Sequence, residues 1–531
     1  NELAKSKELT DWFYQPAWVR EPNRKGYETV SLDRCVLLSD GSGFATGLED
    51  ALKQHHVEVA TAVVDTKRLL SGDEGVFQEA LSQACPEESS HCRLVWIVPD
   101  VLKEHAGLAS WYQTGFEAAV GLVKSLTAQY PFAQADLTIV SRNVQNVTGL
   151  EDIDYLSSTI LSPITVMQQE FPNVKSGHLD IIRSEEDHST TIARVMQEIL
   201  APSGHFVAVR GGKSWTRQFR KLSIAEEQPA VMRPGATYFI TGGLGRIGFT
   251  VLHKIAGKYS PTLYITGSTP IAEREKWEDW LKSHDKDHPV SQRINKIKML
   301  EAQGAQVHYV CADIADRQQT RELVQQIVAT EGRLDGVIHS AAVTGLDSFQ
   351  TINSLGKREI EGHFRTKIEG ALALAHALEG IDYDFCLMMS SVSATLGGLG
   401  FAPYAAANSF LDHLATKNSE AGLNWISVQW DGWEYLEDEL NGIGSPNDGF
   451  IKMTTTEGPA ALEMILNQQI GGTVVNSLNS LDARTRKWIE EVNSIEETED
   501  HADEARYDRP DILTAYRSEE HTSELQSPDH L

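Results

Sequence analysis

Four side chains in the second half of this sequence have the types and spacing needed to reduce a carbonyl group. Tyr404 lies thirteen residues after Ser391 and 37 after Lys367, and Asn408 follows it by one helical turn. A ketone that accepts a hydride develops negative charge on its oxygen, so the site needs a proton donor and a second hydrogen bond to that oxygen. Tyr404 and Ser391 can supply these two groups.

A lysine is needed because a phenol with a pKa of about 10 is a weak acid at neutral pH unless its anion is stabilised. Lys367 is the candidate, and the sequence predicts that it lies at the start of a long helix with apolar residues at Ala371 and Leu374. Asn408 faces the same way as Tyr404 and can hold the lysine or a proton-relaying water. Each residue alone also fits a plainer interpretation: a packing tyrosine, a serine ending a strand, a solvated lysine. Together, at these offsets, they favour catalysis.

A glycine-rich run lies about 160 residues upstream of the tyrosine, between a predicted strand at Tyr238–Ile240 and a predicted helix at Phe249–Ile255. The run consists of Thr241, Gly242, Gly243, Leu244, Gly245, Arg246, Ile247 and Gly248. In this context, small residues let the backbone approach a pyrophosphate, which the helix N-terminus then stabilises. Such turns also occur for packing reasons alone. Combined with the catalytic set, the run predicts a nicotinamide dinucleotide as cofactor.

These motifs and several further segments make the second half similar to the ketoreductase domain of modular polyketide synthases, in the short-chain dehydrogenase/reductase superfamily. Besides the glycine run, Lys367 and Ser390-Ser391, the matching segments are Cys311–Ile314, Gly336–Val343, Tyr404–Asp412 and Trp430–Trp433. In most short-chain reductases the lysine follows the tyrosine by four residues. In these ketoreductases that position is Asn and the lysine comes from an earlier helix, as it does here.

The resemblance implies an NADPH-dependent oxidoreductase, with NADH as the less favoured cofactor. It would reduce the 3-keto group of a β-ketoacyl thioester on the phosphopantetheine arm of an acyl carrier protein, next to other synthase domains. In the implied roles, Tyr404 donates the proton, Ser391 holds the oxygen, Lys367 lowers the tyrosine pKa and Asn408 positions the lysine or a water. Beyond the glycine run, the implied cofactor contacts are Ser268, Asp313 (to adenine), Ile314, Ser340, Ala341, Ala342 and Lys367. No metal is implied.

Two alternative functions stay open. One is a free-standing short-chain reductase of a soluble ketone, and the other is a non-reducing scaffold or epimerising module with the ketoreductase fold. The presence of all four catalytic residues favours active reduction. The acyl chain, its α-substituent, the neighbouring domains, the final product and the oligomeric state are not specified by the sequence.

The sequence departs from the family pattern in ways that affect cofactor choice and stereochemistry. Ser268 stands where many ketoreductases have an arginine for the 2′-phosphate of NADPH, and we expect Arg246 to be the substitute cation. Ala342 replaces the usual Gly. Leu396 is not the Trp that marks one stereochemical class, and Asp347 matches the aspartate of the opposite class only with one inserted residue. The stereochemistry therefore stays open.

The first half resembles the structural subdomain of such ketoreductases, a degenerate dinucleotide-fold relative without cofactor. Its matching segments are Tyr14–Trp18, Leu38–Gly47 and His205–Gly212. A second dinucleotide site at Gly41, Gly43 and Gly47 is disfavoured because no Ser, Tyr and Lys set follows these glycines. The predicted fold class is thus α/β, with two Rossmann-like doubly wound parallel-sheet subdomains, the first degenerate.

Length and pattern divide the chain into two α/β units and a tail. At 531 residues it exceeds one usual domain. We expect a structural subdomain at 1–225, a catalytic subdomain at 226–485, an acidic linker towards a carrier domain at 486–516, and an adapter-derived artefact at 517–531. The connection between the subdomains is expected within Gln218–Pro234. The chain is therefore expected to be an internal fragment of a larger synthase.

Composition excludes several classes of partner. The net charge of -28, from 75 acidic and 47 basic side chains, argues against nucleic acid and anionic membranes. No signal peptide and no run of 18 apolar residues is present, which predicts a cytoplasmic protein. The five cysteines lack metal-like spacing, and Cys311 and Cys386 are predicted to be buried thiols. His284 and His288 are predicted to lie in a charged loop and not in a metal site.

Overall fold

Alternating strand and helix patterns along the chain form an α/β fold in the computed structural model. It describes residues 4–485 except 22–31, 33, 40, 74, 85–90, 101–107, 130–133, 172, 187, 202–205, 226–227, 344, 346–347 and 443–450. The predicted acidic linker at 486–516, the segment 517–531 and Asp347 therefore lie outside the described residues.

The first half supplies eight of the described strands and seven helices. The strands are β1 (Phe13–Arg20), β2 (Arg34–Ser39), β3 (Glu58–Val63), β4 (His91–Ile97), β5 (Gln134–Arg142), β6 (Val174–Ile181), β7 (Phe206–Arg210) and β8 (Lys213–Lys221). The helices are α1 (Gly43–Gln54), α2 (Thr66–Leu70), α3 (Val76–Ala84), α4 (Leu108–Thr114), α5 (Phe116–Gln129), α6 (Leu161–Glu170) and α7 (Ser189–Ile199).

The second half supplies the remaining described strands and helices. The strands are β9 (Thr237–Thr241), β10 (Thr262–Gly267), β11 (Gln306–Cys311), β12 (Gly336–His339), β13 (Phe385–Ser391), β14 (Trp425–Trp430) and β15 (Gly472–Asn476). The helices are α8 (Arg246–Tyr259), α9 (Trp277–Ser283), α10 (Pro289–Ala302), α11 (Arg317–Glu331), α12 (Lys357–Phe364), α13 (Gly370–Ala377), α14 (Ser393–Leu396), α15 (Ala402–Glu420), α16 (Leu436–Leu440) and α17 (Glu457–Asn467).

All these strands form one sheet, in the order β11-β10-β9-β12-β13-β14-β15-β1-β8-β7-β6-β5-β4-β2-β3. The pairs from β9 to β15 are parallel, as are those from β2 to β7. The strand order reverses between β9 and β12 in the second half, and between β2 and β4 in the first. Such reversals open a crevice at the carboxyl ends of the strands, where ligands of doubly wound sheets bind. The predicted fold class is confirmed.

The N-terminal strand β1 joins the two halves. It pairs antiparallel with β8 along most of its length and with β15 at Phe13 and Tyr14. The apolar core is also shared, because one cluster of buried side chains includes Phe116 and Ile164 from the first half and Phe364 from the second. The halves are therefore parts of one packed body, connected by a sheet and by a core.

Several predicted boundaries change in the structure. β8 runs to Lys221, so the start of the expected connection is strand. The helix that carries Lys367 begins at Lys357, so the prediction that the lysine lies at a helix start is wrong. The apolar periodicity after the lysine concealed the earlier start because α12 is mostly polar in sequence. Cys386 is buried as predicted, but Cys311 is exposed, because it ends the edge strand β11.

Candidate active site

Three glycines of the turn between β9 and α8 have no room for a side chain. Gly242 has a φ of +68°, and a Cβ there would lie 2.6 Å from Cα of Ala341. A Cβ at Gly243 or Gly248 would also approach its neighbours to within 3 Å. The turn is therefore pressed against the end of β12, where the Ala341 amide donates a hydrogen bond of 3.3 Å to Oγ1 of Thr241.

The N-terminus of α8 fits an anionic group. The helix begins after Gly245, which is exposed and provides no side-chain cap. An uncapped helix N-terminus at the crevice of a doubly wound sheet attracts a phosphate through its amide groups and dipole. In the first half, by contrast, the Ser42 side chain accepts a hydrogen bond from the Ala45 amide and caps α1. Gly47 there faces Ile192 of α7, whose Cδ1 would lie 2.7 Å from an added Cβ.

Two neighbours of the glycine turn fix its shape. Leu244 is buried, and its carbonyl accepts a hydrogen bond of 2.9 Å from Nζ of Lys296. Ile247 packs against the apolar core below the sheet. These contacts make both residues part of the turn's support.

Arg246, predicted to bind a 2′-phosphate, has partners within the protein. Its guanidinium forms an ion pair with Asp438 of α16 and lies 4.0 Å from the ring centroid of Tyr435. A phosphate at this guanidinium would therefore have to compete with the Asp438 carboxylate. Ser268 follows β10, and its carbonyl oxygen lies 3.5 Å from the exposed thiol of Cys311.

The other predicted cofactor contacts follow the carboxyl ends of β11 and β12. Asp313 follows β11, where its carboxylate pairs with Arg365 and accepts a hydrogen bond from the Ala315 amide. Ile314 is buried beside it. Ser340, Ala341 and Ala342 follow β12, and Ala342 is exposed. Because the Asp313 carboxylate already pairs with Arg365, its contact with adenine stays a prediction.

A buried histidine links the glycine turn to the lysine helix. One ring nitrogen of His339 lies 2.7 Å from Oγ1 of Thr241, and the other lies 3.2 Å from the carbonyl oxygen of Lys367. Burial, together with the nearby Lys367 charge, lowers the pKa of His339 to about 3, so the ring is neutral at physiological pH. His339 was part of a matching segment in the sequence, but its linking role becomes visible only in the structure.

Lys367 is held by a π-helical turn, Arg365–Glu369, between α12 and α13. The residue is only 3% exposed, and its Nζ donates a hydrogen bond of 2.9 Å to the Met389 carbonyl of β13. The same Nζ lies 5.7 Å from the ring centroid of Tyr404. π turns often occur at functional sites. The predicted proximity of the ammonium to the phenol is thus present in the structure.

Tyr404 lies in the first turns of α15 and is surrounded by three rings. Phe349 and Phe401 each lie 5.6 Å from it between ring centroids, and His363 lies 5.7 Å away. Phe349, Phe401 and Ala405 form a small buried cluster against which Tyr404 packs. Burial lowers the pKa of His363 to about 4, so this wall is uncharged at neutral pH. Sequence reasoning missed Phe349 and His363, which carry no local signal.

The other two members of the predicted catalytic set are Ser391 and Asn408. Ser391 ends β13, and its Oγ accepts a hydrogen bond of 3.2 Å from the Ser393 amide. Asn408 is completely buried one turn after Tyr404, and among the described residues neither polar atom of its side-chain amide has a hydrogen-bond partner. A buried, unpaired amide costs free energy, so it marks a place where a small polar group is expected to bind.

Behind Asn408, the polar face of α15 continues to a buried carboxyl group. Asp412 accepts hydrogen bonds from Oγ of Ser427 at 2.6 Å and from Nε2 of Gln429 at 2.7 Å. Burial raises its pKa to about 7, although these hydrogen bonds and the Lys367 charge act in the opposite direction. The spacing of four residues from Tyr404 to Asn408 to Asp412 places all three on one helix face.

The residues that the structure describes contain no candidate for a metal site or for a membrane-spanning helix. Among these residues, no cluster of three or more His, Cys, Asp or Glu side chains is arranged to hold a metal ion. Nor does any described helix have the length and apolar character needed to cross a bilayer.

The part of the chain that contains these residues matches a known family of domains. Residues 236–435, which contain the glycine turn and all four catalytic candidates, match the family model of the KR domain. This part of the chain is a ketoreductase domain. The predicted resemblance and the assignment as an oxidoreductase are thereby confirmed. The matched residues include Tyr435 and end before Asp438, the carboxylate that pairs with Arg246.

Curated relatives of the ketoreductase domain are polyketide synthases. The chain is 28% identical over 361 residues to one component of the phenolphthiocerol/phthiocerol polyketide synthase of Mycobacterium tuberculosis, covering 64% of this chain and 18% of the relative. It is 35% identical over 218 residues to the 6-methylsalicylic acid synthase of Aspergillus terreus, covering 41% of this chain and 12% of that synthase. The chain therefore spans less than a fifth of the length of these relatives.

Solved structures with the same fold extend over both halves. The first ketoreductase of the tylosin PKS aligns with a TM-score of 0.70 at 20% identity, over 92% of this chain and 96% of that one. An N-terminal ketoreductase from the macrolactin assembly line aligns with a TM-score of 0.68, also at 20% identity, over 92% and 94%. At this identity the likeness establishes the fold, and it includes the first half.

Proposed function

We propose that the chain reduces the 3-keto group of a β-ketoacyl thioester to a 3-hydroxyacyl thioester, with NADPH as the reductant. The observation that carries the proposal is the position of the Lys367 ammonium. It belongs to a buried residue and lies 5.7 Å from the Tyr404 ring centroid, and the backbone carbonyl of Lys367 is linked through His339 to Thr241 of the glycine turn. This arrangement supports a proton donor at Tyr404 and a nucleotide site at the glycine turn that serve one reaction.

The chemistry follows from where charge develops. The nicotinamide cofactor, when bound, supplies hydride to the carbonyl carbon. Tyr404 gives its phenolic proton to the oxygen that becomes negative, and Ser391 donates a second hydrogen bond to that oxygen. Lys367 stabilises the resulting phenolate by Coulomb attraction across a site from which Phe349 and Phe401 exclude water.

Asn408 is proposed to hold the water through which the proton on Tyr404 is replaced. Its amide is fully buried and has no hydrogen-bond partner among the described residues. A water between this amide and the Lys367 ammonium would satisfy both the donor and the acceptor of the side chain.

Cofactor binding is proposed to use the uncapped N-terminus of α8 for the pyrophosphate and Arg246 for the 2′-phosphate. Arginine suits a phosphate because its fork of donors can bind two oxygens. In the structure the guanidinium pairs with Asp438, so part of the phosphate's binding free energy would be needed to displace that carboxylate. NADPH is therefore favoured only if Arg246 leaves Asp438.

The proposed partner is an acyl carrier protein that presents the substrate on its phosphopantetheine arm. Support comes from the relatives, which are synthases more than five times as long as the region that aligns with this chain. The ketoreductase part is therefore expected to lie beside other synthase domains. The net charge of -28 requires that an anionic carrier dock on a local basic patch.

A turnover assay with matched substrates tests the proposal. NADPH oxidation and product mass would be measured with a 3-oxoacyl N-acetylcysteamine thioester, with a ketone of the same size lacking the thioester, and with no ketone. We expect reduction of the thioester to a 3-hydroxyacyl product. Preference for the plain ketone would favour the free-standing reductase, and α-proton exchange without reduction would favour the epimerising module.

A further inference from the structure

The last two residues of α6, in the cofactor-free half, reach across to the loops around Tyr404. Both carboxylate oxygens of Glu170 accept backbone hydrogen bonds from the second half. One accepts from the Gly400 amide at 3.0 Å and the other from the Ile352 amide at 2.7 Å. The carboxylate is buried, with the whole residue 4% exposed.

The neighbouring Gln169 holds the same region. Its amide nitrogen donates to the Leu396 carbonyl at 2.9 Å, and its amide oxygen accepts from the Gly398 amide at 2.7 Å. The fit is close, because a Cβ on Gly397 would lie 2.7 Å from the Gln169 amide oxygen. Gln169 and Glu170 therefore fix the segment from Leu396 to Gly400, which joins Ser391 to Tyr404 along the chain.

The two loops tied by Glu170 are the loops that carry the aromatic wall of Tyr404. Phe401 follows Gly400 directly, and Phe349 precedes Ile352 by three residues. Both rings lie 5.6 Å from the Tyr404 ring and 5.0 Å from each other, between centroids. One carboxylate thus sets the separation of the two sides of the tyrosine's surroundings.

Holding the two halves of the chain together does not by itself explain a glutamate at position 170. A carboxylate at the C-terminal end of a helix is disfavoured by the helix dipole, and burying it costs further free energy. Burial raises the pKa of Glu170 to about 7 despite the two amide donors. Elsewhere the same interface is held by apolar rings, such as Phe116 of α5 against Phe364 of α12. Violations of local preference of this kind are expected at functional sites.

We propose that Glu170 is a positioning residue for carbonyl reduction. By tying Gly400 and Ile352 together it holds Phe401 and Phe349 against Tyr404, and so sets the direction of the phenol towards the substrate oxygen. The degenerate half thereby contributes directly to the geometry of the active site. This inference rests on the proposed function, because turnover is one of its readouts.

The test compares Glu170→Gln with a matched control, Asp136→Asn, in the full chain. An amide at position 170 keeps one acceptor but turns its NH₂ towards the second backbone donor, which releases one loop. Asp136 is also a buried carboxylate of the first half, but it pairs with Arg93, far along the sheet from the second half. Both changes remove a buried charge from the same half, so loss of stability affects both.

The expected results separate positioning from general damage. Because a displacement of about 1 Å at a catalytic group can cost roughly 10²-fold in rate, kcat of Glu170→Gln should fall by about that factor. The dissociation constant for NADPH should change by less than about twofold, since Glu170 does not support the glycine turn. The control variant should keep both values. Unchanged kcat in folded Glu170→Gln overturns the proposal.

A second readout does not depend on turnover. The ¹⁹F resonance of 3-fluorotyrosine placed at position 404 should shift in Glu170→Gln and stay in place in the control. If the wild-type chain reduces no thioester, the proposed function fails, and this resonance still decides the positioning role: an unshifted signal overturns it. If Glu170→Gln does not fold, Gln169→Ala takes its place, and a normal kcat with an unshifted resonance is the refuting result.

Discussion

Replacing Lys367 by methionine tests how the tyrosine is made a useful acid. Lys367→Met keeps an unbranched chain of similar length and removes the ammonium. Because we propose that this charge stabilises the phenolate left when Tyr404 gives up its proton, we expect the chemical step to slow while the fold stays intact.

The order of magnitude of the effect is worked from the distance between the ammonium and the tyrosine ring. The ammonium lies 5.7 Å from the ring centroid of Tyr404. At this distance, with an effective dielectric constant of about 20, the attraction between unit charges is about 3 kcal/mol. Such a loss at the transition state corresponds to roughly 10²-fold in kcat. The assay is single-turnover oxidation of bound NADPH with the N-acetylcysteamine thioester.

Stability should change in a different direction from activity. The ammonium belongs to a residue that is 3% exposed, so its removal recovers the desolvation cost of a buried charge, which offsets the lost hydrogen bond to the Met389 carbonyl. We therefore expect no drop in the melting temperature of Lys367→Met. Lys357→Met, an exposed lysine of the same helix, is the matched control and should leave both activity and stability unchanged.

Two results would refute this reasoning. A kcat of Lys367→Met within about threefold of wild type would mean that the ammonium does not stabilise the phenolate in the transition state. A parallel collapse of stability and activity would mean that the lysine acts through folding.

Three further predictions follow from the described contacts. Gly245→Asp places a carboxylate at the N-terminus of α8 and should abolish nucleotide binding in a fluorescence titration that saturates at one equivalent for wild type. Arg246→Ala should weaken the binding of NADPH more than that of NADH, by about 1.5 to 3 kcal/mol. Asp438→Asn should tighten the binding of NADPH, because the carboxylate that competes for Arg246 is gone. Equal changes in affinity for both cofactors would contradict a role of Arg246 in binding the 2′-phosphate. Burial raises the pKa of Asp412 from its usual 3.8 to about 7. Between these two pH values Asp412 is ionised in the unfolded chain and protonated in the folded chain. The free energy of unfolding therefore falls as the pH rises through this range. The melting temperature of Asp412→Asn minus that of wild type should therefore increase from pH 4 to pH 7, and a constant difference would contradict the buried-carboxyl account.

The sequence was sufficient for the fold class and for the proximity of Lys367 to Tyr404. Strand and helix periodicity determined the doubly wound units, because each buries a regular pattern of apolar residues. The glycine turn and the Tyr404 motif were recognisable because each lies within one short segment. The local backbone structure of such a segment restricts which residue types can occur there. The meeting of these two motifs at one crevice followed from the parallel order of the strands.

Contacts between distant segments could not be read in this way. Glu170 meets Gly400 across 230 residues of chain, and nothing around it in sequence signals that contact. The ion pair of Arg246 with Asp438 likewise depends on how α16 packs on α8. The exposure of Cys311 depends on its strand being at the sheet edge, which apolar pattern alone does not reveal.

The most direct test of the central claim is the rate of Tyr404→Phe with NADPH and a 3-oxoacyl N-acetylcysteamine thioester. Phenylalanine keeps the ring against Phe349 and Phe401 and removes only the hydroxyl group. Tyr264→Phe, whose hydroxyl bonds to Glu331 away from the site, is the control. We predict a loss of roughly 10²- to 10⁴-fold in turnover, as for removal of a general acid, with NADPH binding retained. Turnover of Tyr404→Phe within about threefold of wild type would contradict the claim that Tyr404 is the proton donor.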